Sequence, residues 1–123
     1  GAAPDPAGWI VALEDPFDPH RTRGRLAIRS GAVATSSPLR RSWRTARGPA
    51  HHIIDPSTGR PARTTVAAAT VVAATAWWAE AHATSLLIQG PPGLDHLDHT
   101  AHAQLILTDG TTVASSALAD VLA

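Results

Sequence analysis

Apolar residues recur along the chain in short blocks divided by Pro, Gly and Asp. WIVALED, residues 9–15, is a compact apolar run that stops at Pro16, and it predicts a strand. DPFDPHRTRG, residues 15–24, carries two Asp-Pro pairs and predicts a turn-rich loop. RLAIRSGAVATS alternates through Leu26 and Ile28, then through Ala32 and Ala34. That pattern predicts a strand to Arg29, a turn at Ser30-Gly31 and a short strand to Thr35. Residues 36–50 are polar and rich in arginine and predict a loop, followed by a short extended piece at 51–54. TTVAAATVVA, residues 64–73, is apolar on both parities. A strand with no polar face belongs in the middle of a sheet, covered on both sides. AWWAEAHATSLLIQ, residues 76–89, predicts a helix with Thr75 as its cap and Gly90-Pro91-Pro92 as its stop. A second, short helix is expected from Gly93. The segments flanking Asp109-Gly110 are β-rich, and that dipeptide predicts a two-residue type I′ hairpin. SALADVLA at the end could form a last helical turn. The order is strands, then a helix pair, then a hairpin. The expected class is α+β, a mostly antiparallel sheet with two helices packed on one face.

Composition narrows this picture. At 123 residues the chain suits one domain, expected over 9–123 after a flexible lead-in at 1–8. Only 4% of residues are aromatic, so the core must be built from alanine, valine, leucine and isoleucine with the four tryptophans. Ten Lys plus Arg balance ten Asp plus Glu, which speaks against a nucleic-acid or anionic-membrane partner. Cysteine is absent, which excludes disulfides and thiolate metal sites. The opening GAAPDPAG has neither the basic nor the apolar region of a signal peptide, and no run is long enough to predict a transmembrane span.

Four groups of residues could carry chemistry. Glu80 and Thr84 are four apart on the predicted helix, so they share a face, with Trp77 one turn before Glu80. A carboxylate and a hydroxyl at that spacing offer two hard oxygens, half a site for Mg²⁺, which usually keeps waters and takes phosphate oxygens. Spacing alone equally allows an exposed glutamate and a threonine bonded back into its own helix. HHIIDPSTGRP, residues 51–61, predicts a rigid turn. Pro56 fixes φ, Asp55 and Ser57 can bond their own backbone, and Gly59 opens positive φ. Such a turn beside a histidine could hold a ligand or be purely structural. His96, His99 and His102, with Asp95 and Asp98, are too widely spread for one tetrahedral site and predict a solvated face. RRSWRTAR, residues 40–47, is a solvated loop or a contact for a cofactor phosphate.

Taken together, these segments resemble the C-terminal part of the ApbE family of flavin transferases. The resemblance rests on WIVALEDP (9–16), GAVATSS (31–37), HHIIDPSTGRP (51–61), TVVAATAWWAEAHATSLLIQG (70–90) and the hairpin at Asp109-Gly110. The DPSTG turn followed by an acid-x-x-x-Thr helix is its most specific element. The resemblance implies a T-fold-like α+β unit. It implies Mg²⁺-dependent transfer of FMN from FAD to a threonine or serine hydroxyl of an acceptor flavoprotein subunit, with release of AMP. It places Glu80 and Thr84 as metal ligands, His52, Ile53 and Ile54 along the flavin, and Thr35 close to it. It also implies an N-terminal half, or a complementary chain, outside this sequence, and family members that often act outside the cytoplasmic membrane. The family usually has Asp where this chain has Glu80. A non-catalytic flavin- or protein-binding remnant of the same fold is the alternative.

Overall fold

A computed structural model describes residues 3–38, 42–45, 48–51, 54–61, 64–116 and 118, with backbone alone for 42–45, 48–51 and 60–61. Strands β1 (Trp9–Asp15) and β2 (Asp18–Ile28) form an antiparallel hairpin. Its turn is only Pro16-Phe17, with Asp15 opposite Asp18. The loop expected over 15–24 is therefore mostly strand. Pro19 is tolerated because it stands next to the turn, where a missing N–H costs little. Asp15 and Asp18 accept the N–H of Phe17 and His20 and shape the bend.

β3 (Ala32–Ser36) follows a turn at Ser30-Gly31. β4 (Ser42–Thr45) pairs antiparallel with β5 (Gly48–His51), so part of the expected arginine-rich loop is a small hairpin. β6 (Ile54–Asp55) and β7 (Arg60–Pro61) flank the DPSTG turn. β8 (Val66–Ala73) is buried at every position. It pairs antiparallel with β3 on one side and with β9 (His102–Leu107) on the other. β10 (Thr112–Ala114) completes a four-stranded sheet of order β10-β9-β8-β3. The central, doubly covered strand expected from its apolar parity is thus present.

The helix α1 (Ala76–Gln89) has the predicted limits. Thr75 sits at the cap with extended backbone, but its side chain makes no capping hydrogen bond. At the other end the Gly90 N–H, at φ 74°, bonds to the Leu86 carbonyl at 2.8 Å, and the two prolines that follow cannot continue the helix. They start the second, short helix, a 3₁₀ helix at Pro91–His96 that begins two residues before the expected Gly93. The turn after β9 also differs from expectation. Only Gly110 has positive φ, so the type I′ turn is ruled out. Leu107 pairs with Thr111 across a three-residue loop in which Gly110 takes the left-handed position. Asp109 caps that loop by accepting the N–H and hydroxyl of Thr111.

Three layers result. On one face of the sheet, α1 presents Ala79, Ala83, Leu86 and Leu87 at helical spacing. They pack against Ala34, Ala69, Val71, Ala73, Ala103 and Leu105, and Leu94 and Leu97 of the following segment join the same side. Alanines at the contact let the helix lie close to the sheet. Each leucine fully removed from water contributes about 1.5–3 kcal/mol. On the other face, the β1–β2 hairpin lays Leu13, Leu26 and Ile28 over Val72 and Val33, with Leu118 beside them. Arg23 ties the hairpin to the C-terminal loop, donating to the Gly110 carbonyl at 2.6 Å and the Thr112 hydroxyl at 3.2 Å.

Candidate functional site

β3 is the edge of the four-stranded sheet, and its side chains alternate across that edge. Ala34 and Ser36 face α1, while Val33 and Thr35 face the hairpin. Between the edge and the hairpin lies a cavity of about 630 Å³. Its walls carry Glu14 and Asp15 from β1, Thr35 and Ser37 from the β3 edge, Ala68 from β8, and Glu80, which α1 supplies to the same space. Two of the residues singled out from sequence, Thr35 and Glu80, therefore line one cavity.

Hydroxyls hold the edge in place. Thr35 Oγ1 lies 2.9 Å from Thr70 Oγ1 on the paired strand. Ser37 donates to the Ala67 carbonyl at 2.7 Å. Ser36 Oγ lies 3.3 Å from Thr84 Oγ1 on α1. Thr84 is not among the cavity's lining residues. It stands behind Ser36, whose two chain neighbours do line it. Glu80 is exposed and Thr84 half-buried, one turn apart. Their donor set, a carboxylate and a hydroxyl, fits a hard cation that completes its shell with phosphate oxygens and water. Among the described residues no group of three or more His, Cys, Asp or Glu could hold a metal ion. Sequence reasoning missed Thr70, Ser36 and Ser37. Their signal is a polar hydroxyl inside otherwise apolar strand segments, where each must find a partner.

The DPSTG turn has the geometry expected of it. Asp55 Oδ1 accepts the Ser57 hydroxyl at 2.8 Å and its N–H at 2.9 Å, and the Gly59 N–H, at φ 67°, bonds to the Asp55 carbonyl at 2.8 Å. The Ser57 hydroxyl, then its N–H, hold the Asp55 carboxyl below its ordinary value. Ile54 is half exposed at the foot of this turn and does not line the cavity. His52 and Ile53 lie outside the described residues, as do the side chains of 40–47.

The histidine group does not assemble. His99 is almost fully exposed beside Asp98 at 3.6 Å, and His102 belongs to β9. Asp98 is instead held by the N–H and hydroxyl of Thr100, which keep its carboxyl below the ordinary value. His102 borders a second cavity of about 700 Å³ with Arg29, Ser30, Gly31 and Thr100. Trp77, expected on the Glu80 face, is exposed and packs edge-on against Trp78, ring centres 4.9 Å apart.

The chain matches the model of the ApbE family over residues 1–107. It belongs to the ApbE family. It is 33% identical over 84 residues to the FAD:protein FMN transferase of Escherichia coli (strain K12), an alignment covering 68% of this chain and 24% of that protein. The protein of the same name from Klebsiella pneumoniae (strain 342) is 31% identical over 84 residues, with the same shares covered. Among solved structures, the ApbE protein of Thermotoga maritima superposes with a TM-score of 0.80 at 30% identity, covering 93% of this chain and 38% of that one. The flavin transferase ApbE of Vibrio cholerae gives 0.76 at 29%, covering 99% and 40%. This ApbE-family chain thus spans about a quarter of the length of the curated relatives it matches. Its α+β architecture, antiparallel sheet and helical layer agree with the ApbE structures.

Proposed function

We propose that this chain forms part of an FAD:protein FMN transferase, and that the cavity between the β3 edge and the hairpin receives part of FAD beside a Mg²⁺ half-site. The observation that carries the reading is the meeting of Thr35 and Glu80 in one cavity, with Thr84 one turn along α1 and bonded to the β3 edge. Relatives named FAD:protein FMN transferase support the reaction class.

In this reading a threonine or serine hydroxyl of an acceptor flavoprotein attacks the FMN-side phosphorus of FAD. The new P–O bond replaces the bond to AMP, which leaves and takes up the proton that the hydroxyl gives up. Glu80 and Thr84 would hold the Mg²⁺, which when bound neutralises charge on the phosphates. Thr35, fixed by Thr70, stands on the cavity wall that would face the flavin, while His52, Ile53 and Ile54 are assigned to the flavin by the family resemblance. That turn is rigid because Asp55 and Gly59 close it, so it can present neighbouring residues without reordering. Glu80 reaches one methylene further than the Asp usual in the family, which shifts where its oxygens meet the ion. A complementary segment, in the same polypeptide or another, supplies the remaining walls.

Calorimetric titration of FAD into the chain, with Mg²⁺ and then with EDTA, tests this. Mg²⁺-dependent binding is the expected result, and a transfer assay with an acceptor protein follows from it. Binding that ignores EDTA would remove the metal from the reading, and no binding in either buffer would remove the cavity.

A further inference from the structure

Ser36 ends β3 with its side chain turned to α1, opposite Ala69 and next but one to Ala34. It is 7% exposed. Alanine fills the neighbouring positions on this face, and a hydroxyl here loses its water, so it needs a partner to be tolerated. That partner is Thr84, at 3.3 Å, and either oxygen can be the donor. A helical threonine left to itself turns its hydroxyl back to the carbonyl four residues earlier, which here belongs to Glu80. Ser36 offers a competing acceptor across the helix–sheet contact. When Thr84 donates to Ser36, the lone pairs of its oxygen stay available to a cation.

We propose that Ser36 is a positioning residue for the Thr84 hydroxyl, and through it for the cation half-site on α1. The proposal rests on the reading of Glu80 and Thr84 given above. It assigns different tasks to consecutive hydroxyls of one edge strand: Thr35 and Ser37 border the cavity, while Ser36, facing the other way, sets the ligand behind it. Loss of a group that orients a metal ligand typically costs about 10–100-fold in metal affinity.

The test is a double-mutant cycle on the 123-residue chain, read as the apparent dissociation constant for Mg²⁺ from FAD fluorescence during MgCl₂ titration. Ser36→Ala is expected to weaken Mg²⁺ binding about tenfold, the lower end of what loss of such an orienting group costs. In a Thr84→Val background the same change is expected to matter less than about twofold, because the group it acts through is gone. Ser36→Cys, close in size, should weaken binding in the same direction and covers the case in which Ser36→Ala does not fold. Unchanged affinity in Ser36→Ala, or an equal loss in both backgrounds, overturns the positioning role and leaves the site standing. Absence of any Mg²⁺ dependence in the parent chain, matched by Glu80→Gln, overturns the site and the positioning role with it.

Discussion

The two faces of the four-stranded sheet are built differently. The face under α1 is closed by buried alanines, valines and leucines, and Ala79, Ala83, Leu86 and Leu87 of the helix join them. The face under the hairpin carries a smaller apolar cluster and leaves room for the cavity beside β3. The same strands supply both faces, β3 and β8 by alternate residues. The larger buried apolar cluster lies on the side where small side chains allow close approach. The candidate site occupies the margin of the side where packing is incomplete, because a ligand needs volume that a close-packed core does not leave.

Substitutions can break or sharpen this contrast. The largest expected effect is Leu87→Ala, at a fully buried position of the helix face, which should cost about 2–5 kcal/mol in urea unfolding. Leu13→Ala on the hairpin face is expected near the lower end of that range, since the hairpin can settle toward the cavity it borders. An equal or greater cost for Leu13→Ala would break the contrast. Gly31→Ala comes next. Gly31 has φ +104°, and an added Cβ would stand 2.5 Å from the Ala73 carbonyl oxygen, so the turn that starts β3 must shift. A loss of about 1–3 kcal/mol, read by the same unfolding experiment, is the expected outcome.

Smaller effects should separate stability from binding. Glu80→Gln removes an exposed charge and should change stability by less than about 0.5 kcal/mol, while abolishing Mg²⁺-dependent FAD binding. Equal FAD binding by both proteins would remove Glu80 from the site. The smallest effect is a pH dependence in the C-terminal loop. The hydroxyl and N–H of Thr111 hold the Asp109 carboxyl below its ordinary value. The ionised form is thus favoured by folding. Its contribution is present above the ordinary carboxylate range and is lost as pH falls through the lowered folded value. Asp109→Asn should flatten that part of the acid-unfolding curve, and an unchanged curve would show that the loop does not contribute.

Regular segments were legible wherever pattern and punctuation agree. β8 reads as central because no parity of it is polar, and α1 reads to the residue because Thr75 and Gly90-Pro91-Pro92 mark its ends. The hairpin at 9–28 was only half legible. Its turn-forming Asp-Pro pairs look like a loop, yet strand pairing overrides local preference once Asp15 and Asp18 close the bend. At Asp109-Gly110 the dipeptide marked the turn correctly and its type wrongly, because Asp109 bonds Thr111 rather than taking positive φ. For the site, Glu80 and Thr84 could be paired by helical spacing. Their relation to Thr35 and Ser36 could not, because it depends on which edge of the sheet β3 occupies, a long-range fact that local sequence does not encode.

The most direct test of the central claim is to map backbone amide shifts of the isotope-labelled chain on addition of FAD and Mg²⁺. Changes gathered at Glu14, Asp15, Thr35, Ser36, Ser37 and Glu80 are the expected result. Changes gathered instead around Gly31, Thr100 and His102, or binding that leaves the β3 edge untouched, would contradict it.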